Sequence, residues 1–295
     1  MTGASGFIGS AIVKELISAG HRVFGLARSG ASAQALTAAG AEVHYGSLED
    51  LDSLKSGAAV SDGVIHTAFI HDFSKFRDNC ETDRQAIGAL GSALAGSNRP
   101  LIVTSGTGLL TPAGRLATED DVPTSGSTAI PRVASEEAAA VVAGLSVRVM
   151  VMRLPPSVHG EGDHGFVPAL ISIAREKGVS AYVGDGLNLW PAVHRLDAAH
   201  LYRLALEEGV AGARYHGVAE EGVPMREIAN VIGRRLNLPV AAITPEEAAG
   251  HFGWMAHFAA LSCPSSSAQT RHKLAWQPVQ PGLIADVDNP HYFRL

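Results

Sequence analysis

Thr2-Gly3-Ala4-Ser5-Gly6-Phe7-Ile8-Gly9 opens the 295-residue chain, with its glycines at the spacing of a phosphate-binding turn. Gly3 permits a sharp backbone turn, Gly6 a close approach to a pyrophosphate, and Gly9 tight packing of the next helix on a sheet. A glycine triplet alone is a weak signal. Here it runs into Ile8, Ile12 and Leu16 at four-residue spacing, a stop at Gly20, and the apolar strand His21–Leu26. The first N–H groups of that helix point at bound phosphates, so Gly3, Ser5, Gly6, Phe7, Ile8 and Gly9 are expected to cradle a dinucleotide. Such a turn ordinarily follows an apolar strand of about five residues at the centre of the sheet. Only Met1 precedes it here, so the first strand is expected to be truncated, with a truncated or misassigned start as the favoured explanation. A sheet lacking its middle strand would leave buried hydrogen-bonding groups unpaired.

Beyond the turn, short apolar runs alternate with helical patterns. Strands are expected at Ala41–Tyr45, Gly63–Ala68, Pro100–Thr104, Val147–Leu154, Ala181–Val183, Ala192–His194 and Arg214–Val218. Several are unbroken apolar runs, as strands covered on both faces require. Helices carry Ile87, Leu90 and Leu94, then Leu201, Leu204 and Ala205 with Asp197 as the expected N-cap and Gly209 as the stop. Another opens at Pro224 with Ile228, Ile232 and Leu236 on one face. The pattern predicts an α/β fold with a doubly wound parallel sheet and a smaller C-terminal α/β lobe for substrate. Residues 1–155, with returning segments about 190–218, form the dinucleotide-binding domain in this reading; 156–189 and 219–295 form the substrate lobe.

Composition narrows the function. Apolar residues are 46% and charged residues 18%, which supports a large core. The net charge of −6 offers no broad basic face to nucleic acid or an anionic membrane. No apolar run reaches the ~18 residues of a membrane span, and no signal peptide is evident. Cys80 and Cys263 suggest a reduced setting, so a cytoplasmic protein is expected.

The residue that reads the adenosine ribose belongs at the end of the second strand, about 20 residues beyond the glycines. Arg28 and Ser29 stand there, and no acid does. A guanidinium beside a hydroxyl suits a 2′-phosphate, which favours NADP(H) while leaving NAD(H) open.

Further stretches extend the pattern: Gly63-Val64-Ile65-His66-Thr67-Ala68, Val103-Thr104-Ser105-Gly106, Arg153-Leu154-Pro155-Pro156-Ser157-Val158-His159-Gly160, Gly184-Asp185-Gly186 and Val193-His194-Arg195-Leu196-Asp197-Ala198-Ala199. With the opening turn, they resemble the extended short-chain dehydrogenases/reductases of the NAD-dependent epimerase/dehydratase type. The resemblance implies a Rossmann-type fold, Ala68 near the nicotinamide ribose, Ser105 as the active-site Ser/Thr, and Pro155, Ser157 and Val158 beside the nicotinamide. It also implies that Asn188 and Trp190 contact substrate, and that Glu81–Ala95 and Ser135–Ala143 pair in a homodimer.

One feature departs from the family: its catalytic Tyr-x-x-x-Lys, in which the ammonium lowers the phenol pKa. Arg132 and Glu136 stand at the corresponding positions. No tyrosine occurs between Tyr45 and Tyr182, and no lysine between Lys75 and Lys177, so no shift of register restores the pair. Histidine titrates in the useful range, which makes His71, His159 and His194 the candidate proton donors beside Ser105. The histidines and acids of 159–164 lie among glycines, and no metal is expected. Three readings stay open: an NADP(H)-dependent oxidoreductase acting on a small carbonyl or hydroxyl compound, a nucleotide-sugar-type epimerase/dehydratase, and a non-catalytic NADP(H)-binding redox sensor.

Overall fold

The apolar runs of the first half become parallel strands because helices cover both of their faces. A computed structural model describes residues 1–294. Its strands are β1 (Phe24–Ala27), β2 (Glu42–Tyr45), β3 (Val64–His66), β4 (Pro100–Gly106), β5 (Arg148–Leu154), β6 (Ser157–His159), β7 (Ser180–Val183), β8 (Leu189–His194), β9 (Arg214–His216), β10 (Glu220–Pro224) and β11 (Val240–Ile243). Its α-helices are α1 (Phe7–Ser18), α2 (Gly30–Ala38), α3 (Leu51–Ala59), α4 (Phe76–Leu94), α5 (Ala134–Ala143), α6 (Phe166–Lys177), α7 (Arg195–Glu208), α8 (Met225–Leu236), α9 (Pro245–Phe252), α10 (Ala256–Ala260), α11 (Ala268–Leu274) and α12 (Leu283–Val287).

The order β3-β4-β5-β9 is parallel throughout, and β1 pairs in parallel with β2. Met1 and Thr2 join these two groups. The Met1 amino group donates to Phe24 O at 2.6 Å, Leu26 N donates to Met1 O at 2.8 Å, and Thr2 N donates to Ile65 O at 3.1 Å. These contacts place Met1 and Thr2 between β1 and β3, and the glycine turn at the C-terminal edge of the sheet. That is where open α/β sheets bind ligands. Next to them a groove lined by Phe24, His44, Leu54, Val64 and Leu90 runs between β1 and β3.

Three apolar clusters hold the molecule together. Ile12, Val13 and Leu16 of α1 meet Leu201, Tyr202 and Ala205 of α7 on one side of the sheet. Ile87, Leu90 and Leu94 of α4 meet Val142 of α5 on the other. There Gly91 permits the close approach, since a Cβ on it would lie 2.3 Å from a Val142 methyl. The third cluster joins Ile171, Trp190, Ile228, Phe252 and Leu283, all beyond residue 160, around the small sheets β10-β8-β6 and β11-β7.

Two local expectations are corrected. Asp197 is not the N-cap of α7; His194 is, its Nδ1 accepting from Leu196 N at 3.2 Å. The Asp197 carboxylate instead accepts from Val279 N and Gln280 N, both at 3.0 Å, and so fastens the C-terminal segment to α7. Helix α4 begins at Phe76 rather than Glu81, because a 3₁₀ turn over Phe73–Lys75, capped by Asp72, leads directly into it.

Candidate active site

The glycine turn is built as a cradle. Gly3 has φ +66°, and a Cβ there would lie 2.6 Å from Thr67 Oγ1 and 2.7 Å from Ala68 N. A Cβ on Gly9 would lie 1.9 Å from Gly3 O. Gly6 is the N-cap of α1 and leaves the first N–H groups of the helix without a side-chain cap. These groups, with the exposed Ser5 and Gly6, form an anion-binding surface. Ala68 is close to the turn as well, donating its N–H to Thr2 Oγ1 at 3.3 Å.

Arg28 is exposed and has no hydrogen bond or ion pair to another described residue. Ser29 caps α2, accepting from Ser32 N at 3.2 Å, so its position is fixed by the helix it starts. Just beyond β5, Pro155 is buried, and in β6 Ser157 is buried and Val158 half-buried. Ser157 Oγ is buried with no partner. A buried hydroxyl of this kind calls for a ligand or a water to complete it.

Arg132 and Glu136, one helical turn apart, are each locked into an ion pair. Asp83, 1% exposed, accepts from Arg132 Nη1 and His66 Nε2, both at 2.9 Å, and from the Ser135 hydroxyl. Burial opposes its charge, but Arg132 and the His66 and Ser135 hydrogen bonds outweigh it and keep Asp83 below the ordinary carboxylate range. With His66 Nε2 donating to Asp83, its Nδ1 faces Thr2 Oγ1 at 2.8 Å, which ties the glycine turn to Arg132. Arg132 also donates to Thr104 O at 2.9 Å and lies over the Phe69 ring at 4.3 Å.

The second pair joins Glu136 to Arg153, which is wholly buried. Arg153 grips the carboxylate with two parallel bonds, Nε to Oε1 at 2.8 Å and Nη2 to Oε2 at 2.7 Å. Ser105 donates to the same Oε1 at 2.8 Å. Burial opposes the Glu136 charge, yet Arg153 holds its pKa below the usual value. Ser105 is therefore near Arg132 along β4, but its hydroxyl proton is already engaged.

The histidine candidates separate. His159 is 1% exposed and faces Asp286 Oδ2 at 2.9 Å through Nδ1. His194 is buried, packs edge-on to His159 at 5.4 Å, and spends its Nδ1 on the α7 cap. In both rings Nδ1 is committed, while Nε2 makes no hydrogen bond to a described residue. His71 is exposed and stands edge-on to Phe69 at 5.3 Å. Desolvation and the Arg132 charge both lower its pKa from 6.5. Trp190 is fully buried, with Nε1 donating to Phe258 O at 3.1 Å. Asn188 donates to Ala259 O and Leu261 O, which removes its amide from substrate. Among the described residues no His/Cys/Asp/Glu cluster could hold a metal. No described helix is long and apolar enough to cross a membrane.

Sequence reasoning missed Arg195. It opens α7, is half-buried without an ion pair among the described residues, and has its guanidinium 5.1 Å from the Phe7 ring at the head of α1. It also missed Asp83, whose single acid in a helix face otherwise facing the core was the available signal.

Residues 1–218 match the sequence profile of the NAD dependent epimerase/dehydratase family. An uncharacterized Schizosaccharomyces pombe protein is 51% identical over 294 residues, covering 99% of both chains. A Dictyostelium discoideum sterol-4-alpha-carboxylate 3-dehydrogenase (decarboxylating) is 28% identical over 77% of this chain and 73% of its own. A Stigmatella aurantiaca ketoreductase of a farnesylated dihydroquinoline oxide is 27% identical over 73% of this chain and 66% of its own. Among solved structures, the Streptomyces venezuelae dTDP-glucose 4,6-dehydratase DesIV with NAD and TYD bound shares the fold. Its TM-score is 0.77 at 19% identity, over 97% of this chain and 93% of that one.

Proposed function

Because the chain belongs to the NAD dependent epimerase/dehydratase family, we propose that it is an NADP(H)-dependent oxidoreductase that reduces a small carbonyl compound with a proton donor other than tyrosine. The observation that carries this reading is the pairing of a Cβ-intolerant cradle at Gly3 and Gly9 with the orphaned, buried Ser157 hydroxyl in β6. A dinucleotide fits both: the turn and α1 take its diphosphate, and Ser157 offers a hydrogen bond at the nicotinamide end. When bound, the reduced nicotinamide supplies a hydride equivalent to an adjacent carbonyl carbon. Two relatives named for redox chemistry at a ring carbon, the sterol dehydrogenase and the ketoreductase, support the same class of reaction.

This chain's own residues divide the remaining work. Arg132, held by Asp83 and Thr104 O, fixes positive charge beside Ser105 and favours negative charge growing on a carbonyl oxygen. His71 gives that oxygen its proton. Only its acid form can do so, and its lowered pKa means that this form is lost as pH rises through a value below 6.5. Reduction by the wild type is therefore expected to slow as pH rises through that range. In His71→Gln the rate falls ~100-fold and this decline toward high pH disappears, as pH profiles of kcat will show; an unchanged decline removes His71 from this role.

Arg28 sets the cofactor preference. Arg28→Ala is expected to weaken NADPH binding by roughly 10- to 100-fold, the cost of one charge-assisted bond to phosphate, while NADH binding stays the same. Fluorescence titration of both cofactors checks this, and an equal loss for NADH would assign Arg28 elsewhere. The whole reading is tested by incubating the protein with NADPH and a panel of aldehydes and ketones. Net NADPH oxidation supports reduction. Sugar isomerisation without net oxidation, or cofactor binding with no turnover across the panel, rejects it.

A further inference from the structure

We propose that this site takes a flat, apolar carbonyl compound, an aromatic aldehyde or ketone, held against an aromatic wall to which both halves of the molecule contribute. The proposal rests on the carbonyl reduction argued above. Phe69 and Phe73 come from the segment after β3, Phe166 from the head of α6, and Trp254 and Phe258 from the stretch around α10. Phe73 stacks on Trp254 with centroids 4.8 Å apart and planes 18° apart. Phe166 meets Phe258 at 4.5 Å, and Phe73 meets Phe258 at 5.6 Å.

None of these five rings is buried, and Trp254 is 53% exposed. Rings assembled only to fill a core are sealed from water, as Trp190 and Trp276 are in this same chain. A contiguous set of half-exposed aromatic rings is a surface that an apolar ligand can cover, and offset-stacked or edge-on rings are what such faces prefer to bind. The wall also reaches the chemistry. Phe69 lies under the Arg132 guanidinium at 4.3 Å, and the His71 ring stands edge-on to Phe69 at 5.3 Å. A ring seated on the wall brings its carbonyl substituent toward the charge and the proton donor together.

Charge argues against a nucleoside diphosphate there. Arg132 is paired with Asp83, and Arg77 donates to Thr128 O. Lys75 is exposed and flanked by the exposed acids Asp72 and Asp78. Asp72 stays ionised because Ser74 donates to it through both hydroxyl and amide, with pKa lowered accordingly. A diphosphate on this segment meets the carboxylates of Asp72 and Asp78, while the Arg132 charge is already answered by Asp83.

The test uses full-length protein saturated with NADP⁺ and three probes: 2-naphthalenemethanol, glycolaldehyde and UDP-glucose, titrated by calorimetry and by quenching of Trp254 fluorescence. The naphthyl alcohol is expected to bind at least about tenfold more tightly than either of the others. Trp254→Ala and Phe73→Ala are each expected to lose about tenfold of that affinity while their NADPH affinity stays at the wild-type value, which reports an intact fold. The kcat/KM ratio of 2-naphthaldehyde to glycolaldehyde then falls in both variants. Tighter binding of UDP-glucose, or naphthyl affinity unaffected by both substitutions, overturns the proposal. Naphthyl binding without turnover of its aldehyde defeats the reductase reading and leaves the aromatic site standing. Turnover of glycolaldehyde with no naphthyl preference does the reverse.

Discussion

Glu136→Lys is expected to destabilise the protein by at least about 3–5 kcal/mol. Arg153 is wholly buried and its charge is answered by the Glu136 carboxylate through two parallel hydrogen bonds. Removing that carboxylate strands one buried cation, and a lysine adds a second beside it. Urea unfolding at pH 7 reads the loss directly. Glu136→Gln is expected to lose stability by the same mechanism, though without the added repulsion. The double variant Glu136→Leu/Arg153→Met removes both charges and is expected to recover much of the loss, because a buried ion pair is replaceable by apolar groups of similar volume. If Glu136→Lys unfolds at the wild-type midpoint, the pair contributes nothing and the account of this helix is wrong.

The same pairs set the response to acid. Asp83 and Glu136 are both held below their ordinary carboxylate pKa values of 3.8 and 4.5. Their share of stability is therefore fully present above about pH 4.5 and is lost as pH falls through the lowered folded values. Acid titration of the unfolding midpoint is expected to show a steep decline below pH 4 that the double variant at Glu136 and Arg153 softens.

Gly9→Ala carries the second large effect. The new methyl would lie 1.9 Å from Gly3 O, inside any tolerable contact, so either the turn opens or α1 moves away from it. A displacement of about 1 Å in a positioning element costs on the order of 100-fold, and cofactor affinity is expected to fall by at least that much. Calorimetry with NADPH measures it. Gly88→Ala is the matched control. That glycine lies in the middle of α4 with nothing within 4 Å of an added Cβ, so the substitution is expected to stabilise by about 1 kcal/mol and leave cofactor binding alone. Unchanged affinity in Gly9→Ala would remove the cradle from cofactor binding, and the functional proposal with it.

Much of the fold was legible because its signals are local. The apolar runs Pro100–Val103 and Val149–Met152 can be satisfied only with both faces covered, and the helical spacing of Ile8, Ile12 and Leu16 sets which side of α1 meets the sheet. Helix caps were less legible. Asp197 has good cap chemistry, but two amides of the C-terminal segment, some eighty residues away in the chain, claim its carboxylate, and His194 takes the cap. The start of α4 was missed for a related reason, since Asp72 organises a tight turn that runs straight into the helix.

At the site, the sequence alone determined the glycine cradle, the arginine at the end of β1, and the absence of a tyrosine–lysine pair, because each depends on residue type at short range. Only the tertiary structure decided what replaced that pair. Asp83 reaches Arg132 from another helix and Arg153 reaches Glu136 from a strand, so their charges are balanced by partners that no local pattern names. It likewise separated His71 from His159 and His194. A histidine's availability depends on what buries it and what its nitrogens already bond, and those neighbours meet only when the chain has folded.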